Sequence, residues 1–405
     1  MKKIPFIVLV AISLWALFKP GLPPQIITDG IVGADVAWVL VSTALVLFMT
    51  PGLALFYGGM VNAKNIISTM LQSFICMGVI SIVWLVVGFG IAFGTDYPGL
   101  FGNPGEFILF TGVLESKPWS LAPTIPLALF ALFQLKFAII TPALITGSFS
   151  ERIKFTSYVL FICLFSIFIY SPLAHWAWHP EGWLFKLGVL DFAGGTVVHI
   201  SAGCAALAAA IYLGKKKEGE ETKAANIPFV LIGTGMLWFG WFGFNAGSAL
   251  GAGTLATSAF ATTNFAAAAA GLAWVFFDSA VRDKKPTALG FCIGAVVGLV
   301  AITPAAGYVS IPISVFIGVA ASIISNLFVG WRAKSRLDDT LDVFPCHGIG
   351  GMSGMLLTGL FASKLINTAA VDGLFNGGGI DLFKNHVIGL VAVAAFAFFG
   401  SLLLL

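Results

Sequence analysis

Two stretches, DFAGGTVVHISAG at residues 191–203 and DVFPCHGIGGMSG at residues 342–354, each place a single histidine inside a long apolar run. An ionisable side chain at membrane depth is costly, and it marks a functional site by default. Each histidine follows an aspartate that opens its stretch, Asp191 before His199 and Asp342 before His347, and each is hemmed in by small residues. A lone histidine is more simply read as a satisfied core residue linking two helices. Two at matching positions of a repeat reverse that judgement.

The surroundings of these stretches set the fold class. The chain has 405 residues, 59% hydrophobic and only 10% charged, against about 25% charged in a soluble domain. Apolar runs long enough to cross a bilayer recur along the whole length. They predict an all-α integral membrane protein with eleven spans: 35–58, 66–95, 123–147, 156–178, 191–213, 226–248, 257–280, 287–306, 309–330, 347–363 and 386–405. No room is left for a soluble domain, and the net charge of +3 carries no implication of nucleic-acid binding.

Charge placement orients the chain. Loops after spans 1, 3, 5, 7 and 9 hold 13 basic residues, among them Lys64, Arg152, Lys217 and Arg332; the alternate loops hold four, Lys117, Lys186, Lys364 and Lys384. The positive-inside rule then puts the start of span 1 outside and the end of the chain inside. The first residues, MKKIPFIVLVAISLWALFKPG, have the form of a signal peptide, although no A-x-A site follows. Residues 1–30 are expected to be such a leader or an extra anchoring helix, and residues 31–405 the main domain.

Ten of the spans divide into two sets of five. An odd number per set makes the second set enter from the opposite face, which is the arithmetic of an inverted repeat. The expected architecture is therefore a 5+5 inverted repeat plus one helix. Sequence echoes agree: TPGLALFYGG in span 1 against WFGFNAGSA in span 6, and the two histidine stretches in spans 5 and 10. Many of the 47 glycines lie within spans, where small residues let helix backbones approach closely. The five cysteines show no CxxC spacing, and Cys346 beside His347 lacks further ligands, so no metal and no cofactor is expected.

DFAGGTVVH, FQLKFAIITPALITGSFSERIKF, WFGWFGFNAGSAL and DVFPCHGIGG occur together and in order. In this the chain resembles the Amt/Mep/Rh family of ammonium transporters, over nearly its whole length from about residue 33. The resemblance implies eleven transmembrane helices in the inner (plasma) membrane, a homotrimer, and one pore per subunit conducting ammonium or ammonia. It implies that His199 and His347 touch within the pore. Imidazole can take and give a proton near neutral pH, and an apolar tube disfavours its charged form.

By the same resemblance, Trp178, Phe137 and Ser248 form an outer recruitment site, with Phe133 one turn above Phe137. Ring faces offer cation–π attraction of about 0.5–2 kcal/mol each, and a serine hydroxyl can accept a hydrogen bond. Phe137 and Phe244 would be stacked rings blocking the pore, and Trp241 a further tryptophan beside it. Asp191 is read as a capped, buried carboxylate near the mouth, and Asp342 as its counterpart at the cytoplasmic end.

The chain departs from the family pattern at three places. Lys136 sits beside Phe137, either snorkelling to the vestibule or placing an amine near the recruitment site. FYGGMVNAKN carries only Lys64 where the family has more basic residues. The chain ends FFGSLLLL inside span 11, without the family's cytoplasmic tail. The expected function is transport, and no enzymatic activity is expected. The alternative is an ammonium sensor of the same fold, coupled to a fused signalling domain or a cytoplasmic regulator.

Overall fold

The computed structural model describes residues 4–18, 29–216 and 222–405. Residues 1–3 and 19–28 of the expected leader, and residues 217–221 of the polar loop 214–223, lie outside the described residues. Helix α1 spans Ile4–Leu17 and buries no residue.

The remaining helices are α2 (Gly33–Met60), α3 (Ala63–Phe93), α4 (Leu127–Phe149), α5 (Phe155–Lys186), α6 (Gly195–Leu213), α7 (Ile227–Gly247), α8 (Thr254–Arg282), α9 (Ala288–Ile302), α10 (Ile311–Lys334), α11 and α12 (Asp381–Leu404). Helix α11 runs from a π-helical start at Phe344–Ile349 into Gly350–Phe361. Among the described residues, nine of these helices are long and apolar enough to cross a membrane. Helices α9 and α11 coincide with the other two expected spans. Helix α9 stops at Ile302, short of the expected 306; Pro304 has no N–H with which to continue the helical hydrogen bonds. A two-stranded hairpin also occurs, pairing Asp96 with Gly102 and Tyr97 with Phe101; the sequence reading held no strand.

Leu160, Phe239, Phe276 and Phe399 are large, apolar and more than half exposed. A helical bundle with such a surface is at home in lipid, which satisfies no backbone groups and so requires helices. Helices α2 and α7, the opening helices of the two expected repeats, run antiparallel. The Trp38 indole near the start of α2 donates to the Ala246 carbonyl at the end of α7. The Asn226 amide at the start of α7 donates to the Gly59 carbonyl at the end of α2.

The loops that join the helices opposite the hairpin are tied at Glu151. This residue has left-handed backbone (φ 72°), a conformation that costs about 1 kcal/mol or more for a residue with a side chain. Its carboxylate accepts from the Asn62 amide at 2.9 Å, the Asn65 side chain at 2.8 Å, the Lys216 ammonium at 3.0 Å and the Thr222 hydroxyl at 2.9 Å. Burial alone would raise its pKa. The hydrogen bonds from Asn65, Lys216, Asn62 and Thr222 outweigh burial and hold the carboxyl at about 2, below its ordinary 4.5. Arg152 next to it donates to the carbonyls of Ser148, Gly214 and Asp338. Three loops and the segment before α11 are thereby joined.

Because folding lowers this pKa, the contribution of Glu151 is complete above pH 4.5 and is lost as pH falls toward 2. Glu151→Gln is expected to cost roughly 2 kcal/mol at neutral pH, the scale of a hydrogen bond to a charged group. Thermal unfolding in detergent across pH checks this: the gap between wild type and variant should close only below pH 4.5.

Candidate functional site

The histidine helices are built alike. Both α6 and α11 open with a π-helical turn, Gly195–Ile200 and Phe344–Ile349, and each turn contains the histidine. Such turns are rare and often mark functional positions. The helices cross antiparallel at glycine. A Cβ on Gly203 would lie 2.2 Å from the Gly348 nitrogen, and one on Gly351 would lie 3.1 Å from the His199 Cβ. No side chain fits between Gly203 and Gly348, so the backbones touch there.

That contact brings the imidazoles together. The His199 and His347 ring centroids are 5.4 Å apart with planes inclined by 23°, and the two Nδ1 atoms are 3.3 Å apart. The rings are 1% and 4% exposed. Two Nδ1 atoms facing each other can share one proton, so one ring donates and the other accepts. The donating ring then has a bare Nε2, and the accepting ring carries its proton on Nε2. The Nε2 of His199 has no hydrogen-bond partner. His386 makes the contrast: its Nδ1 donates to the Met355 carbonyl and its Nε2 accepts from the Leu190 amide, which satisfies both nitrogens.

An aromatic column leads to the pair. Trp178 meets Phe137 edge-on at 5.9 Å, and Phe133 meets Phe137 at 4.9 Å. Phe137 touches Phe244 at 4.3 Å between centroids, and both rings are buried. Phe244 lies 5.9 Å from the His199 ring. Trp241 stacks on His199 at 5.3 Å with planes 19° apart, and its indole N–H is fixed by the Thr303 hydroxyl at 2.9 Å.

Above this column opens a vestibule of about 410 Å³ whose wall includes Trp178, Phe133, Phe137 and Ser248 together with Asp191. The Ser248 hydroxyl donates to the Phe244 carbonyl at 2.8 Å, which leaves its oxygen lone pairs to accept from a visitor. Trp178 is held by its indole N–H to the Asp191 carbonyl at 3.1 Å. On the other side of the pair, His347 and Cys346 border a small cavity of about 20 Å³ with Tyr57 and Phe56.

Asp191 organises the mouth. One carboxylate oxygen accepts from the Gly194 and Gly195 amides at 2.9 and 2.6 Å. The other accepts from the Thr196 amide at 2.7 Å and from its hydroxyl. Gly194 has φ +120°, open to glycine alone among common residues, and this bend lets the chain curl around the carboxylate. The aspartate caps α6 from below its first turn, so the helix begins at Gly195 rather than at 191.

Its counterpart is Asp339, and the sequence-based assignment of Asp342 is corrected. Asp339 stands eight residues before His347, as Asp191 stands eight before His199. It is buried, and its Oδ2 accepts from the Phe344 amide at 2.7 Å, five residues on, the same offset as Asp191 to the Thr196 amide. Asp342 instead makes a two-pronged pair with Arg332 at 2.7 and 3.0 Å. The equal spacing was the available signal, and the Asp at the start of DVFPCH obscured it.

Sequence reasoning also missed Gln134 and Trp119 in the vestibule wall. Gln134 lies one turn from both Phe130 and Phe137 on α4, and that shared face was the signal. Lys136 is not part of the wall. It is half-buried four residues beyond the exposed Leu132, on the outward face of α4, so the idea of an amine beside the recruitment site is not supported.

A multi-helix membrane fold with an aromatic mouth, a ring constriction and a buried imidazole pair defines a transporter-type protein. Residues 37–405 match the Ammonium Transporter Family, and the chain belongs to that family. It is 47% identical over 345 residues to an ammonium transporter of Aquifex aeolicus, covering 85% of this chain and 80% of that one. Its fold matches the crystal structure of Saccharomyces cerevisiae Mep2 with TM-score 0.87 and 36% identity, covering 93% of this chain and 85% of that one. It also matches a structure described as a sensor Amt protein, with TM-score 0.83 and 30% identity, covering 91% of each chain.

Gly203→Ala tests the backbone contact. The added methyl has nowhere to go at 2.2 Å from Gly348. The variant is expected to lose about 2 kcal/mol of stability, as overpacking does. A structure of the variant should show the Nδ1 atoms separated beyond hydrogen-bond reach.

Proposed function

We propose that the protein carries ammonium across the inner (plasma) membrane through a pore in each subunit of a homotrimer. Its eleven spans form a 5+5 inverted repeat plus one, with the start of α2 outside and the end of α12 inside. Residues 31–405 are the transport domain, and residues 1–30 a leader or anchor. The reading rests on one observation: vestibule, ring contact and imidazole pair follow one another in a single column.

Ammonium is a compact cation that must shed water to enter an apolar passage. The Trp178 and Phe133 rings attract it through their faces, and the Ser248 oxygen accepts one N–H. Asp191 already accepts four hydrogen bonds, so its charge lowers the energy of the cation without touching it. The Phe137 and Phe244 rings must swing apart to admit the substrate, and they exclude hydrated ions by size and dryness. Inside, ammonium gives one proton to the bare Nε2 of the pair and becomes ammonia, a neutral molecule at ease in a dry lumen. Ammonia passes His347 into the inner cavity and leaves on the cytoplasmic side; the added proton leaves the pair separately, which returns both rings to neutrality before the next ion enters.

A sensing role for the same fold is the weaker reading. The pair of buried imidazoles serves passage, and a receptor that only binds at the mouth does not require it. The transporter relative also stands at higher identity than the sensor, 47% against 30%.

The test is reconstitution into vesicles with an internal pH dye and surface-electrode recording. An ammonium pulse should give uptake in the wild type. His199→Leu should lower it about a hundredfold, the low end of what one acid–base group contributes. Wild-type flux in His199→Leu would refute the proton-transfer role. Neither uptake nor current in the wild type would refute transport.

A further inference from the structure

The vestibule holds a polar side chain that the recruitment site leaves unused. Gln134 forms part of its wall, on the face of α4 that also presents Phe130, Phe133 and Phe137. The residue is only 8% exposed. Its side-chain carbonyl oxygen is buried and has no hydrogen-bond partner. Buried polar atoms are nearly always paired, and each exception calls for an explanation. Here a structural partner is missing beside a cavity where a cation with four N–H donors is expected.

We infer that Gln134 is a specificity-determining residue of the recruitment site, whose carbonyl oxygen accepts one N–H of ammonium as that ion sheds water. The inference rests on the transport reading above. The last side-chain torsion of glutamine is broad and soft, so a small turn brings the oxygen to the surface of the lumen. Ser248, at the end of α7, supplies one acceptor, and the Trp178 and Phe133 rings supply π faces. Those groups leave an N–H of the tetrahedral ion unpaired. Gln134 on α4 supplies the further acceptor from a different helix. Potassium, of similar size, has no N–H to direct and gains less from acceptors placed for a tetrahedron. Methylammonium has three N–H groups and can turn its methyl toward Gln134, so it depends less on that oxygen.

The experiment measures half-saturation for ammonium and for methylammonium in vesicles holding the full chain, wild type or Gln134→Met. Methionine keeps the length and volume of the side chain and removes the acceptor. Half-saturation for ammonium should rise about tenfold, at the lower end of a hydrogen bond to a charged group. That for methylammonium should rise much less, so the preference for ammonium shrinks. Equal shifts for both ions, or none, would overturn the inference. Gln134→Glu keeps an acceptor oxygen and should preserve or strengthen the preference, and it decides alone if the methionine variant fails to reach the membrane. Loss of preference in Gln134→Glu would assign the effect to packing and overturn the inference. Wild-type vesicles without ammonium uptake would instead fail the transport reading itself.

Discussion

The backbone contact between Gly203 and Gly348 is the constraint on which the rest of the site depends. Two helices from different halves of the chain meet there with no side chain between them. Lipid provides no hydrophobic drive to join helices, so close packing of small residues must supply it. The contact fixes the depth at which α6 and α11 cross. It thereby fixes the 3.3 Å separation of the imidazole nitrogens and the stacking of Trp241 and Phe244 above them. A bulkier residue at Gly203 would separate the rings, whatever else was retained.

The two buried carboxylates show how a repeated design diverges. Asp191 and Asp339 each accept from the amide five residues ahead, at the start of a π-helical turn. Asp191 is saturated by four donors. Asp339 retains an oxygen, Oδ1, without a partner. Nearby, Arg332 is engaged by Asp342 and Arg152 by backbone carbonyls. The vestibule end is thus closed on its own helix start, and the other end is part of the loop framework centred on Glu151.

Much of this was legible from residue order. Hydropathy located the helices within a few residues, since a bilayer demands long apolar runs and little else matches them. The histidines stood out because a titratable group in such a run is rare. Less was legible where three-dimensional geometry decides. Asp339 shares its neighbourhood with Asp338 and Asp342, so its eight-residue spacing to His347 was easily passed over until the hydrogen-bond offsets showed which aspartate caps the helix. Gln134 shares a helical face with Phe137, but only the structure shows that it borders the vestibule with its oxygen unpartnered. Lys136 invites a role beside Phe137, yet adjacent residues on a helix point about 100° apart. The π turns at Gly195 and Phe344 have no composition of their own and could not be read from sequence at all.

The touching rings of Phe137 and Phe244 carry one more consequence. A permanently open tube of this length would fill with a thread of water, and protons hop along such threads far faster than any solute diffuses. In the pore proposed above, the contact between these two phenyl groups would break the thread whenever no passenger is between them. On that reading a cell could keep many copies of such a protein in an energised membrane without short-circuiting its gradient.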